Sequence, residues 1–432
     1  MISFKRHLRH RLVGLRAWRP GTLAKGALAM TVGMGLRTAA QAGVFLVIAR
    51  VLGVQAYGAY AAVLAVAGTL GTFSGFGVPM LMLRDVARDP ASFPVAWGRT
   101  LAAIGVSIPT LAGIYGVLAW AILPTGLSWF AVGLIGFAEL AFGPLALAGV
   151  NAYQGHERIG RAGRLVLVPI LVRLLAALAL LPLALYIPAS MRLVAWSTLY
   201  AVAALFAAVY AVWLVYRDFG PPIRPEAREL RASLGEGVTF AFGGAALKLY
   251  MDIDKTMLAR LSTLEAAGAY SAAYRVVDMA LLPVNALLAA TLPRFFRAGE
   301  SDVGASLRYG WRILPLPLLY TVSIAAALYV GAQWLPLLLG ASYQLAVNAL
   351  QWLCWLPLIG LARLLLQLLL TSADRQREVA AVLGLGAALN IVLNLGLIPL
   401  WSWRGAVLST YAAEVVMALA FSRLAWRYGR SS

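Results

Sequence analysis

Lys248, Asp252 and Lys255 follow one another at steps of four and three residues inside a stretch that is otherwise apolar. At that spacing their side chains share one face of a helix, with Asp254 pointing elsewhere. Arg275 and Asp278, three residues apart, are helical neighbours in the same sense. Arg37, Arg173, Glu139 and Glu414 stand alone in other apolar stretches, and Lys25 and Arg363 complete a set of seven cations and five acids. A charge near the middle of a bilayer costs at least ~2.5–3.5 kcal/mol on insertion scales, so each of these residues needs a partner or a wet cavity. Two chemistries are open. One is mutual neutralisation, Lys248 with Asp252 and Arg275 with Asp278. The other is ligand binding. An excess of cations around a cavity suits an anionic group such as a phosphate or pyrophosphate, whose oxygens match the forked donors of arginine.

Arg37 has no acid within a helical turn, so its partner lies on another helix or is a ligand. With Lys248, Asp252, Lys255 and Arg275 it makes up the candidate anion site. Glu139, Asp254, Asp278 and Glu414 are the candidates for holding a coupling proton or cation. Glu139 or Glu414 serves equally well as counter-ion to Arg37 or Arg173. Lys25 and Arg363 lie towards the cytoplasmic ends of their stretches, where a long side chain reaches the headgroups. Tyr60, Tyr250, Tyr270, Tyr274, Trp352 and Trp355 carry faces that stack on sugar rings, although core packing or an interfacial belt explains them as well.

Twelve apolar runs, each long enough to cross a bilayer, must position these residues: roughly 21–49, 56–83, 99–122, 128–153, 163–187, 191–215, 235–259, 266–292, 309–332, 343–371, 379–401 and 405–425. Of the 36 Lys and Arg, 25 lie before the first run, after an even-numbered run or at the chain's end, and only Arg50, Arg192, Arg260 and Arg404 occupy the alternate gaps. Basic residues stay cytoplasmic during insertion, so both termini are expected there, as an even number of spans also requires.

Composition excludes the soluble classes: 62% hydrophobic residues, 12% charged and a mean hydropathy of +0.81. The net charge of +19 is a topology signal in contact with anionic membrane lipids. No nucleic-acid partner is expected, because the longest polar gap, about 216–234, is too short for a folded basic domain. The single cysteine, Cys354, lies inside a span, which leaves neither a disulfide nor a thiolate cluster. His7, His10 and His156 all flank the spans on the basic side. No G-x-x-x-x-G-K-[ST] loop is present, and no metal or cofactor is expected. Residues 1–20 are read as an uncleaved basic cytoplasmic leader.

A self-match at an offset of 210 joins ARVLGVQAYGAYAA (49–62) to ARLSTLEAAGAYSA (259–272), with Arg50/Arg260, Gly58/Gly268 and Tyr60/Tyr270 among the identical pairs. Six spans separate the copies, so the halves run in the same direction about an axis along the membrane normal, with a cavity between them. The expected layout is an all-α membrane protein of two six-helix bundles, 21–215 and 235–428, joined by a cytoplasmic linker at 216–234 that holds Pro221, Pro222 and Pro225. Prolines such as Pro79, Pro109, Pro169 and Pro357 fall inside spans or near their ends, where each can bend a helix; most are read as packing features, and a functional bend is expected at only a few.

LGVQAYGAY (52–60), DIDKTMLARLSTLEAAGAYSAAYRVVD (252–278) and NAYQGHERIGRAGRL (151–165) resemble segments of bacterial polysaccharide flippases of the multidrug/oligosaccharidyl-lipid/polysaccharide exporter superfamily. In layout the resemblance extends over the whole chain. It implies a V-shaped pair of six-helix bundles around a cationic cavity in the bacterial inner membrane, working by alternating access. The implied cargo is a lipid-linked oligosaccharide on polyprenyl (undecaprenyl) pyrophosphate, moved from the cytoplasmic to the periplasmic leaflet for surface polysaccharide biosynthesis. Cavity residues carry over only within 252–278, and Arg37 is assigned from charge placement alone. The alternative reading is a proton- or sodium-coupled multidrug exporter of the same superfamily. A membrane glycosyltransferase or ligase ranks behind both, since there is no large extracytoplasmic loop and no cluster of carboxylates outside the membrane.

Overall fold

The structure, a computed structural model, describes residues 22–299, 303–373 and 375–429. The expected leader at 1–20 lies outside the described residues. Every long element among them is a helix.

The first, α1 (Thr22–Gly71), has 50 residues, about 75 Å if straight, far more than a bilayer core of about 30 Å accommodates. It breaks at Gly53, whose φ of 74° suits a residue without a Cβ, so two arms replace one rod. A second break follows at Gly75, Phe76 and Gly77, all with positive φ. The helix restarts as α2 (Val78–Arg88) with Pro79 in its first turn, where a missing N–H leaves nothing unpaired. After α3 (Phe93–Ile122), α4 (Trp129–Phe137) passes through a π-helical turn, Ala138–Phe142, and resumes as α5 (Gly143–Gly155). Helices α6 (Ile159–Tyr186) and α7 (Arg192–Phe219) complete the first half. Pro109, Pro169 and Pro182 sit within continuous helices.

Only 220–226 is irregular between α7 and α8 (Ala227–Leu261), so the helices invade much of the expected linker. The second half continues as α9 (Leu264–Gly299), α10 (Val303–Ile313), α11 (Pro315–Gly331), α12 (Leu335–Leu339), α13 (Gln344–Leu353), α14 (Leu356–Ser372), α15 (Gln376–Trp401) and α16 (Trp403–Gly429). The segment ending in α13 meets α14 at a bend of 46°, with Pro357 opening α14. Among the described residues nine helices are long and apolar enough to cross a membrane, or ten with the bent pair taken as one span. The expected count of twelve is not reached on length and apolarity. Two expected spans share α1, and α8 carries Lys248, Asp252, Asp254 and Lys255 within eight residues, which lowers its apolarity.

Helix α1 packs on α6, α8 and α9, and thus ties the halves together. At its crossing with α9, Gly58 lies against the Leu264 carbonyl and the Gly268 nitrogen, while Gly268 lies against the Val54 carbonyl. Val54 and Leu264 are themselves 210 apart, so the contact is self-complementary under the repeat. A Cβ at either glycine would strike main chain. This close approach accounts for the glycine in both copies of the motif.

The end remote from Thr22 and Gly429, the far end, is tied by hydrogen bonds to main chain. Arg50 donates to the carbonyls of Leu337 and Leu338 at 3.4 and 3.2 Å, and Arg260 donates to that of Leu123 at 3.3 Å. Each repeat-related arginine thereby caps a turn of the opposite half. Arg192 donates to the Val51 carbonyl at 3.1 Å and Tyr343 Oη to that of Ala49 at 2.8 Å. At the near end the Ile223 N–H donates to the Pro94 carbonyl at 2.9 Å, and Arg84 pairs with both Asp85 and Glu236.

Candidate functional site

Between the halves lies a cavity of three adjoining compartments that meet at Gln41, on the first arm of α1. The central one, about 160 Å³, is lined by Arg173, Lys248, Asp252, Lys255, Arg275 and Asp278. The compartment on the first half, about 270 Å³, holds Arg37, Glu139 and Arg173. The one on the second half, about 460 Å³, holds Tyr250, Tyr274, Asn285, Arg363, Gln367 and Glu414. Towards the far end the central compartment closes on Phe45 and Tyr57, which pack edge to face, and Tyr57 meets Tyr343 in the same way.

Helical spacing on α8 carries the central charges. Asp252 sits between Lys248, at 2.6 Å, and Lys255, at 2.5 Å, so two cations share one acid. Lys255 also donates to the Met251 carbonyl at 2.8 Å and lies over the Tyr274 ring at 4.7 Å. The Lys248 side chain remains 40% exposed to the cavity, against 12% for Lys255. Asp254, one step round the helix, is buried outside the cavity lining. It accepts from Tyr270 Oη at 2.5 Å and from the Lys255 N–H at 2.8 Å.

Arg275 and Asp278 both line the central compartment, but they form no ion pair with each other or with another described residue. The expected mutual neutralisation of these two is therefore replaced by two side chains turned separately to the cavity. Arg37 is exposed and likewise without an ionic partner among the described residues. Glu139, in the π-helical turn, accepts from Tyr200 Oη, and Arg173 lies over the Tyr200 ring at 4.5 Å. Glu139 thus meets Arg173 through an aromatic ring and not as its direct counter-ion.

Glu414 is the counter-ion of neither Arg37 nor Arg173. It pairs with Arg363 at 2.5 Å and accepts from Tyr250 Oη at 2.7 Å. Arg363 does not reach for the headgroups either. Its side chain is 13% exposed and also donates to Gln367 Oε1 at 2.8 Å. Of the aromatic candidates, Tyr60, Tyr250 and Tyr274 line the cavity, whereas Tyr270 is held by Asp254. Trp352 and Trp355 are exposed, and Trp352 packs on Trp403 beside Arg404 at the far end.

Sequence reasoning overlooked Gln41, Asn285 and Gln367. The signal was present at two of them: Gln41 follows Arg37, and Gln367 follows Arg363, by four residues, the spacing that puts a carboxamide beside a cation on one helix face.

A sequence model of the family described as polysaccharide biosynthesis protein matches residues 23–298. No curated protein matches the chain by sequence. Among solved structures, the inward-facing conformation of a multidrug resistance MATE family transporter of the MOP superfamily superposes with a TM-score of 0.67 at 14% identity, covering 93% of this chain and 97% of that one. An outward-facing conformation of such a transporter scores 0.60 at 13% identity, covering 94% and 93%. A MOP superfamily transporter from Pyrococcus furiosus Vc1, whose binding pocket of reverse polarity is described as suggesting a different function, scores 0.61 at 12% identity, covering 94% and 93%. Identities this low establish a shared fold.

Proposed function

The chain belongs to the polysaccharide biosynthesis protein family, and on that premise we propose that it is a flippase. Its cargo is an undecaprenyl-pyrophosphate-linked oligosaccharide, moved from the cytoplasmic to the periplasmic leaflet of a bacterial inner membrane. One observation carries the reading. A central compartment with two positive charges in excess and with Arg275 free of ionic partners, adjoined by a compartment whose Arg37 is likewise free among the described residues, lies between halves sealed at the far end. Such a compartment attracts a pyrophosphate, which arginine forks bind in bidentate fashion.

In this reading both termini are cytoplasmic, and the units that move are 21–215 and 235–428, joined by 216–234. The sealed end is periplasmic, so the cavity faces inward, in keeping with the higher TM-score against the inward-facing transporter. Arg37, Lys248 and Arg275 take the pyrophosphate, Lys255 orients Asp252 and Lys248, and the lipid tail stays in the bilayer. Opening the far end requires the Arg50 and Arg260 caps to release and the halves to rock about the Gly58–Gly268 crossing. Glu139, Asp254, Asp278 and Glu414 are the acids available to a coupling proton or sodium ion.

Replacing Arg37, Lys248 or Arg275 by Gln is expected to abolish surface polysaccharide while the protein stays inserted, as judged by glycan staining and membrane fractionation. Wild-type polysaccharide in all three variants overturns the proposal. The second reading, a cation-coupled multidrug exporter, draws on the shared fold and on Glu139 in its π-helical turn, a feature frequent at functional sites. Hypersensitivity of a deletion strain to cationic drugs, with its polysaccharide intact, would favour that reading.

A further inference from the structure

Charge is unevenly distributed through the cavity. In the central compartment Arg173, Lys248, Lys255 and Arg275 face Asp252 and Asp278. The second-half compartment shares Arg275 and Asp278 with the centre, and its own charges, Arg363 and Glu414, neutralise each other at 2.5 Å. Arg363 also donates to Gln367, and Glu414 also accepts from Tyr250. Apart from the Arg275 it shares with the centre, this lobe therefore has no unpaired cation to offer a second anion. It has carboxamides. The side chains of Gln41 and Asn285 make no hydrogen bond with any described residue, and Gln367, bonded through its oxygen, keeps both amide donors. The rings of Tyr250 and Tyr274 stand beside them.

Unpaired carboxamides next to aromatic faces recognise neutral, hydroxyl-rich rings by paired donors and acceptors on the edges and apolar contact on the faces. At about 460 Å³ against about 160 Å³, the lobe has more room than the centre, and it lies within the range of small-molecule sites. We propose that the second-half compartment is the saccharide-reading site, which takes the uncharged sugars next to the pyrophosphate, with Asn285 as a specificity-determining residue. This rests on the flippase reading and divides its cavity into an anion site and a sugar site. A polar site left unpaired by the wrong sugar discriminates strongly, so selectivity resides here and not among the cations.

The test compares two ligands on the full-length protein in nanodiscs: undecaprenyl pyrophosphate, and the glycan-bearing form that accumulates in cells deleted for this chain. Wild type is expected to bind the glycan-bearing form about tenfold tighter or more, the scale on which a pocket contact discriminates. Asn285→Leu should lose that ratio and keep the affinity for the bare lipid, and Asn285→Gln should restore part of it. A wild-type ratio near one, or a full ratio in Asn285→Leu, overturns the inference. The flippase reading fails separately, and takes the inference with it, if no glycan-bearing lipid accumulates or if Arg275→Gln binds the bare lipid as tightly as wild type does.

Discussion

At the far end of the molecule Arg50, Arg192 and Arg260 reach main-chain carbonyls, and Arg404 lies over two tryptophan rings. Midway along the spans Arg37 and Arg275 reach no ionic partner among the described residues and line adjoining compartments of the cavity. The same side chain closes one region and equips the other. The four arginines that break the charge asymmetry of the gaps all have structural work at the seal, where the last carbonyls of helices need donors. The cavity arginines have donors to spare. The contrast separates cations that hold the halves together from cations available to a ligand, a distinction that position in an apolar stretch cannot make.

The largest test of that distinction is at the paired cation. Glu414→Ala leaves the Arg363 charge buried without its partner and is expected to destabilise by about 3–5 kcal/mol, while Arg363→Met with Glu414→Leu recovers most of the loss. Thermal unfolding in detergent measures both, and an unchanged midpoint for Glu414→Ala would place Arg363 with the free cations. Next comes the crossing. Gly58→Val and Gly268→Val push a side chain into main chain, so each is expected to cost about 1–3 kcal/mol by overpacking, with similar values at the two repeat-related sites. Unequal losses would break the symmetry of the crossing.

A smaller effect is expected at the caps. Arg50→Met and Arg260→Met each remove hydrogen bonds to carbonyls, worth about 1 kcal/mol, and should raise labelling of a cysteine placed at Tyr57 by a membrane-impermeant thiol reagent added on the side of the far end. Unaltered labelling would remove the sealing role. Least of all, Arg37→Gln and Arg275→Gln should change stability by no more than about 0.5 kcal/mol, as expected where no internal contact is lost. A large loss at either position would show a structural partner and shrink the contrast.

Particular residues show how far the sequence could be read. Gly58 and Gly268 were visible as repeat partners, and Lys248, Asp252 and Lys255 as one face of a helix, because both patterns are local. Arg363 was misread as a headgroup-reaching side chain. Its partner, Glu414, lies 51 residues away on another helix, and no helical spacing reports such a pair. The adjacency of Arg275 and Asp278 suggested a pair that the structure does not form. Helical neighbours are able to meet, but their rotamers follow the surrounding cavity. Asn285 and Gln41 escaped notice because an uncharged carboxamide inside a span costs far less than a charge and so stands out less.

The membrane class, the alternating basic gaps, the 210-residue repeat and the set of charges within spans were all determined by sequence alone, because apolarity and helical period are carried residue by residue. Which charges pair, which remain open to a ligand, where the cavity is sealed and where it turns neutral were decided by tertiary structure. Those properties depend on distances between helices that only packing sets.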